Sequence, residues 1–288
     1  MKFMMYKAAG NDRLGVVDGD RVIDVAVCDP SLPKSLLALI EAGPGATSRV
    51  ADAIDNAPPQ ARKKLSGLLP ALPIERPGKF ICVGLNYAAH AKEGGHAIPE
   101  YPSLFVRWPS SLVAAGEPVI CPNCSEQLDY EAELTIVIGK GGRHIAEADA
   151  LDHVFGYTLF NDVSVRDFQR KSNQWTPGKN FDGTGPLGPV VVTADELPPG
   201  ASGLRITSRV NGETRQDSNT ADMIFSTAKI IAILSQFMTL EAGDVIATGT
   251  PSGVAHARTP PAWMKPGDRV EVEVEGIGIL SNPVVAES

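Results

Sequence analysis

The sequence is poor in cysteine, in aromatic residues and in basic charge, and it contains no long apolar run. Four cysteines among 288 residues are too few for a disulfide scaffold. Lysine and arginine total 26 against 34 aspartate and glutamate, which gives a net charge of −8, so nucleic acid is not an expected partner. The chain contains no stretch of about 18 apolar residues, which is the length needed to span a membrane, so no membrane partner is expected. The first ten residues lack the pattern of a secretory signal, so the expected location is cytoplasmic.

Motifs for three common kinds of chemistry are also absent. Cys121 and Cys124 form a single C-x-x-C with no second pair and no histidine partner, so neither a zinc site nor a redox role is expected. The two Gly-Lys pairs, at 139–140 and 178–179, lack the glycine spacing and the following Ser or Thr of a phosphate-binding loop. No G-x-S-x-G is present, so a serine triad has no anchor.

The 28 glycines and 23 prolines favour many turns and short strands over a helical bundle. Near the start, predicted strands at residues 14–17 and 21–25 flank an Asp-Gly turn that is typical of a β-hairpin. Short helices are predicted at 35–42 and 47–54, and a proline-rich stretch at 70–78 marks a boundary. We therefore predict a small N-terminal α+β domain over residues 1–73 and a larger domain over 74–288.

The larger domain is predicted to be dominated by strands, so the whole chain should have a mixed, β-dominated fold. Predicted strands lie at 79–84, 104–107, 131–138, 155–160, 188–193, 204–211 and 245–248. A further strand at 269–275 alternates strictly and should bury Val270, Val272 and Val274 on one face. One longer helix is predicted over 221–239, with Gly243 as its stop signal.

Two acidic residues interrupt an otherwise apolar strand. Glu131 and Glu133 are two residues apart, so in a strand they project from one face at a spacing of about 7 Å. Left alone, the two carboxylates would repel each other and lose hydration. A divalent cation removes both penalties, and all-oxygen ligands suit Mg²⁺, Mn²⁺ or Ca²⁺. The alternative is an edge strand with a solvated acidic face.

A third carboxylate, Asp162, follows the apolar strand predicted at 155–160. It favours the metal site, although Asp162 could instead cap a helix starting near residue 164. Arg166, Gln169 and Lys179 follow soon after, and an anionic, oxygen-rich ligand that bridges a metal to these side chains would use all three. Ordinary surface charges are the alternative for Arg166 and Lys179.

His90 and Glu93 form a second candidate constellation. At positions i and i+3 of a predicted helix they share a face, so Glu93 can hydrogen-bond one imidazole nitrogen and leave the other to take a proton from water. A solvent-facing histidine beside a helical glutamate is the alternative.

Five segments together resemble the fumarylacetoacetate hydrolase family. They are VGLNYAAH at 83–90, LDYEAE at 128–133, NDVSVRDFQ at 161–169, GK at 178–179 and TGTPSG at 248–253. The resemblance covers about residues 78–285 and implies a β-roll catalytic domain behind the small N-terminal unit, and usually a homodimer. It also implies a Mg²⁺ or Mn²⁺ site formed by Glu131, Glu133 and Asp162.

The resemblance implies further roles for individual side chains. His90 and Glu93 match a dyad that activates water, and Lys179 matches a lysine that stabilises developing negative charge. The implied substrate-binding residues are Arg107, Arg166, Gln169 and Thr250.

The expected activity is the Mg²⁺-dependent hydrolysis of a carbon–carbon bond in a β-diketo acid of the acylpyruvate or fumarylpyruvate type. Such a small 2-oxo acid would come from the catabolism of aromatic or sugar-derived acids. One alternative keeps the same site but decarboxylates an oxaloacetate-like acid or isomerises an unsaturated 2-oxo diacid. The other is a binding protein whose metal is purely structural.

Overall fold

The structure is a computed structural model that describes all 288 residues. The helices are α1 (Val25–Cys28), α2 (Leu36–Glu41), α3 (Pro44–Asp55), α4 (Ala88–Glu93), α5 (Arg166–Gln169), α6 (Thr176–Lys179) and α7 (Thr227–Phe237). The strands are β1 (Lys2–Ala8), β2 (Asn11–Asp18), β3 (Arg21–Asp24), β4 (Arg62–Lys64), β5 (Phe80–Gly84), β6 (Ser103–Val106), β7 (Leu112–Ala114), β8 (Val119–Cys121), β9 (Leu128–Asp129), β10 (Ala132–Ile138), β11 (Val154–Asn161), β12 (Ser164–Val165), β13 (Gly185–Thr193), β14 (Arg205–Val210), β15 (Glu213–Asn219), β16 (Val245–Ala247), β17 (Arg269–Val274) and β18 (Gly278–Ala286). No helix has both the length and the apolar character needed to cross a bilayer.

The strands form two large sheets and one small one. The main sheet has the order β4-β3-β2-β1-β13-β11-β10-β16-β5-β6, with β7 added on β13. A second sheet has the order β15-β14-β17-β18-β8, and β12 pairs with β9. The prediction of a mixed, β-dominated fold is confirmed.

The N-terminal strands belong to the main sheet. The predicted hairpin is present, with Asp18 opposite Arg21, and α2 and α3 lie where the two short helices were predicted. However, β1 also pairs with β13, and Phe3 shares one hydrophobic core with Phe80 and Phe160. The first part of the chain therefore completes the core of the rest, and the domain boundary at residues 73 and 74 stays a prediction.

The long helix starts later than its apolar stripe suggested. Helix α7 begins at Thr227 because the Ser226 hydroxyl caps it by accepting a hydrogen bond from the Lys229 N–H. It ends at Phe237, well before Gly243, so the predicted range of 221–239 was too long at both ends. The strict alternation of β17 is confirmed, because its three valines are buried and the residues between them are not.

Four neighbouring strands of the main sheet bring their functional ends to the same edge. β11 and β10 are antiparallel, with Asn161 opposite Ala132, so the end of one strand lies beside the start of the other. β16 is antiparallel to β10, and β5 is parallel to β16. The segments that follow β11, β16 and β5 therefore meet the segment that precedes β10, and this edge carries the predicted site.

The buried carboxylate of Asp24 joins several parts of the N-terminal unit. Asp24 accepts hydrogen bonds from Tyr6 Oη at 2.5 Å, Arg13 Nε at 2.6 Å and the Val27 N–H at 3.2 Å. Burial opposes ionisation of Asp24, but the hydrogen bonds from Arg13 and Tyr6 outweigh it and hold the pKa below its ordinary value of 3.8. Because Asp24→Ala leaves the Tyr6 hydroxyl buried without an acceptor, we expect it to lower the free energy of unfolding by about 1–3 kcal/mol at pH 7.

Chemical denaturation of Asp24→Ala and of the exposed control Asp20→Ala at several pH values measures this loss. A carboxylate with a lowered pKa stabilises the fold above its unfolded pKa and stops doing so as the pH falls through its folded pKa. The difference between wild type and Asp24→Ala should therefore shrink below pH 3.8. A constant difference down to the lowest pH would contradict the ionic origin of the effect.

Candidate active site

Three carboxylates that are distant in sequence meet at the edge of the main sheet. Glu131, Glu133 and Asp162 each place one oxygen within 4.8 Å of the others. Their exposures are 4%, 2% and 0%, and β10 lies in the interior of the sheet between β11 and β16. The edge-strand alternative for the two glutamates is therefore wrong.

Backbone pairing between β10 and β11 positions the three acids. The Asp162 N–H donates to the Glu131 carbonyl at 2.9 Å, and the Glu131 N–H donates to Asn161 Oδ1 at 3.0 Å. Helix α5 begins at Arg166 with no side-chain cap, so the helix-capping alternative for Asp162 is also wrong.

Two buried cations bind these acids directly. Lys179 Nζ donates to Glu131 Oε2 and to Asp162 Oδ2, both at 2.6 Å. Arg166 Nη2 donates to Glu131 Oε1 at 2.5 Å, and its Nε donates at 2.7 Å to Asp129, a buried acid that was not predicted as a site residue. Lys179 and Arg166 are therefore parts of the site and not surface charges.

The electrostatics of the cluster divide its acids into two kinds. Burial raises the pKa of Glu131, but Arg166 and Lys179 outweigh burial and hold it well below its usual range. Burial, reinforced by Asp162 and Glu131, raises the pKa of Glu133 well above its usual range. Burial also raises the pKa of Asp162, and Lys179 offsets this only in part. The protein's own cations thus leave negative charge uncompensated around Glu133 and Asp162.

A hard divalent cation fits this donor set. Asp162 Oδ1 is buried and has no hydrogen-bond partner, although the Arg107 guanidinium lies beside it with Nη1 at 3.5 Å. Glu133 accepts one hydrogen bond, from the Gly249 N–H at 2.9 Å, and keeps other lone pairs free. Three convergent carboxylates with free lone pairs are the ligand type that Mg²⁺, Mn²⁺ and Ca²⁺ prefer.

The predicted dyad is assembled on α4. His90 Nδ1 lies 2.8 Å from Glu93 Oε1, and both Glu93 oxygens accept from the Gly253 N–H at 3.0 and 3.1 Å. His90 is buried and lines the same cavity as the three acids, so the solvent-facing alternative is wrong. Because Nδ1 is engaged by Glu93, Nε2 is the nitrogen left for a ligand.

The three acids and His90 of the dyad share one cavity of about 390 Å³. Of the predicted substrate-binding residues, Arg166, Gln169 and Thr250 line it. The structure does not bring Arg107 to the cavity wall. Its guanidinium is buried behind Asp162, where Nη2 donates to the Thr184 carbonyl at 2.6 Å, so direct contact between Arg107 and a substrate does not fit.

Several residues that shape the site were not predicted. Asn86 is fully buried and joins two site segments by donating to the Thr248 carbonyl at 2.7 Å and accepting from the Phe225 N–H at 2.7 Å. Gln216 donates to Thr250 Oγ1 at 2.8 Å and fixes that hydroxyl. Asn86 lies in a segment already singled out for its motif, whereas Gln216 lies outside every motif and had no signal in the sequence.

Comparisons with known proteins by sequence and by structure agree with one another. The family model "Fumarylacetoacetate (FAA) hydrolase C-terminal" matches residues 79–285. The chain is 44% identical over 275 residues to "Oxaloacetate tautomerase fahd2, mitochondrial" of Xenopus laevis, which covers 94% of this chain and 85% of that protein. It is 46% identical over 216 residues to "Oxaloacetate tautomerase YisK" of Bacillus subtilis (strain 168), with 74% and 71% covered. The crystal structure of maleylpyruvate hydrolase from Sphingobium sp. SYK-6 in complex with manganese(II) ion and pyruvate superimposes with a TM-score of 0.83, 31% identity and 100% coverage of both chains.

The three acids predict a stabilising metal. At a concentration 100-fold above the dissociation constant, Mg²⁺ or Mn²⁺ should raise the free energy of unfolding by about 2.7 kcal/mol, because the unfolded chain has no assembled site. Glu133→Gln should abolish most of this gain while keeping an oxygen for the Gly249 N–H. Thermal denaturation after chelation and after adding metal measures the effect, with the exposed Glu126→Gln as control. Equal stabilisation of both variants would contradict the assignment.

Gly249 lies so close to the backbone of a neighbouring segment that we predict it cannot be replaced. It has φ +96°, and a Cβ there would lie 2.8 Å from the Val83 carbonyl oxygen. Gly267 has φ +98° with nothing within 4 Å, so Gly267→Ala pays only the cost of the left-handed backbone, about 1–2 kcal/mol. Gly249→Ala should lose more stability than this control and should weaken metal binding, as measured by denaturation and titration calorimetry. Similar losses in the two variants would show that the close approach is unimportant.

Proposed function

Because the chain belongs to the fumarylacetoacetate hydrolase family and has that family's fold, we propose that it is a metal-dependent enzyme that interconverts the keto and enol forms of a short 2-oxo dicarboxylic acid such as oxaloacetate. One observation carries the proposal: the three acids and His90, which Glu93 holds, open into one cavity of a chain that is 44% identical to a protein named oxaloacetate tautomerase. This reaction differs from the decarboxylation and isomerisation expected as alternatives from the sequence, but it shares with them an enolate-stabilising site that acts without consuming water.

The reaction needs one proton to move between C3 and the oxygen on C2. In the keto-to-enol direction, His90 Nε2 takes a proton from C3 and the electrons of that C–H bond form the C2–C3 double bond. The carbonyl electrons move onto the C2 oxygen, which then takes a proton from water, while the imidazolium of His90 returns its proton to water. Glu93 acts as a positioning residue, because its bond to Nδ1 orients the imidazole and stabilises its charged form.

Lys179 is suited to hold the negative charge that develops on the C2 oxygen. Burial opposes the charged form of its ammonium, but Asp162 and Glu131 outweigh burial and raise the pKa of Lys179, so the group stays charged. It also lines the cavity, so it can face a substrate without moving far. A divalent cation held by Glu131, Glu133 and Asp162 would polarise the 2-oxo group.

Carbon–carbon hydrolysis of an acylpyruvate is the second candidate. It is favoured by the similarity to maleylpyruvate hydrolase, whose structure contains manganese and pyruvate. In that reaction His90 would take a proton from water, and the water oxygen would attack the distal carbonyl. The two candidates use the same residues and differ in whether water enters the product.

His90→Ala should lower the rate of enol-to-keto conversion of oxaloacetate by about 10²–10⁴-fold, the usual contribution of a positioned acid–base group. Glu93→Gln should have a smaller effect, because the histidine remains. The decay of enol absorbance on addition of metal-loaded enzyme measures the rate, and exposed His144→Ala is the matched control.

The same enzyme preparation, tested in ¹⁸O-labelled water with an acylpyruvate, separates the two candidates. Label in the carboxylate product, without faster oxaloacetate tautomerisation, would favour hydrolysis. Release of pyruvate and CO₂ from oxaloacetate at the rate of enol decay would instead favour decarboxylation.

A further inference from the structure

One cation of the cavity wall has no partner in the protein. Three permanently charged basic side chains line the cavity: Arg166, Arg170 and Lys179. Arg166 and Lys179 are bound by buried acids. The Arg170 side chain makes no ion pair and no hydrogen bond, and only its backbone N–H is engaged, by the Arg166 carbonyl at 3.2 Å. It is an exposed residue, so it stands at the mouth of the cavity.

The backbone that carries Arg170 is held firmly in place. It caps the C-terminal end of α5, four residues after Arg166, so both side chains leave the same face of this helical turn. Phe168 packs edge-on against Phe181, and the Ser125 hydroxyl donates to Asp167 at 2.6 Å. A Cβ on Gly178 would lie 2.4 Å from the Gln169 nitrogen, so α6 also packs directly against this turn. Arg170 therefore extends a line of guanidinium groups from the acidic cluster to the mouth.

We propose that Arg170 binds the distal carboxylate of the substrate and so selects dicarboxylic over monocarboxylic 2-oxo acids. This inference rests on the proposed function in one respect, namely that the 2-oxo acid end of the ligand lies at the three acids. The distal group then points toward the mouth, where a planar guanidinium can bind a carboxylate with two parallel hydrogen bonds.

The loop around Arg170 is polar and suits a charged distal group. Only four of the nineteen lining residues are hydrophobic, and Ser172 and Asn173 lie beside Arg170 in the same loop. Lys171 is the next residue, but it lies over the Phe168 ring and does not line the cavity. It therefore provides a control with the same charge.

Binding of two matched acids tests the proposal without any catalysis. Malate and 2-hydroxybutyrate share the 2-hydroxy acid end and differ in a distal carboxylate or methyl group. Calorimetry on Mn²⁺-loaded protein should show malate bound at least 10-fold more tightly by the wild type and by Lys171→Met. Arg170→Met should reduce this preference to less than about 3-fold, and Arg170→Lys should restore part of it.

Kinetics with oxaloacetate then distinguish specificity from structural damage. Arg170→Met should raise KM by about 10-fold and leave kcat within about 2-fold, because Arg170 contacts the distal carboxylate and takes no part in moving the proton. The proposal is overturned if the wild type does not prefer malate, or if Arg170→Met and Lys171→Met change the preference equally. Absence of tautomerisation together with a preference that depends on Arg170 would reject the proposed reaction and retain the carboxylate site.

Discussion

Burial of several carboxylates at one point is the constraint on which the rest of this structure depends. Ionised acids are costly away from water unless cations, hydrogen bonds or metal compensate them. The compensating groups arrive from separate parts of the chain: Lys179 from α6, Arg166 from α5 and Arg107 from the end of β6. They leave the region around Glu133 and Asp162 short of positive charge. A divalent cation would make up this shortfall, so the electrostatic cost of the fold and the proposed chemistry of the site have one origin.

One loop after β16 ties the parts of the site together through its backbone. Its N–H groups donate to acids of three different roles, namely Glu133 in the acidic cluster at 2.9 Å, Glu93 of the dyad at 3.0 Å and Asp129 behind Arg166 at 2.7 Å. Because backbone donors keep their direction, this loop sets the distance between the dyad and the acids. The positive φ of Gly249 allows the loop to turn at this point without striking the neighbouring segment.

Local patterns were sufficient for much of the fold. The Asp-Gly turn predicted the β2–β3 hairpin, and strict alternation predicted the buried face of β17. Hydrophobic periodicity was less informative where a capping side chain, and not the apolar stripe, set the start of a helix. The apolar stripe extended the predicted helix beyond α7 because periodicity carries no information on the hydroxyl of Ser226, which sets the start. Arg107 shows the same limit in the site, since a basic residue in sequence does not reveal whether it faces a ligand or supports an acid from behind.

By itself, the sequence determined which residue types were available and how they alternate. Two glutamates at i and i+2 in an apolar strand, and a histidine three residues before a glutamate in a helix, follow from the period of each element. Only the tertiary structure decided that the two glutamates and the histidine share a cavity, that Asp129 and Gln216 support the site, and that Arg170 remains unpaired at the mouth. Those relations depend on strand order and register, which bring together residues as far apart in sequence as Glu93 and Gly253, 160 positions from each other, and no local pattern encodes such pairings.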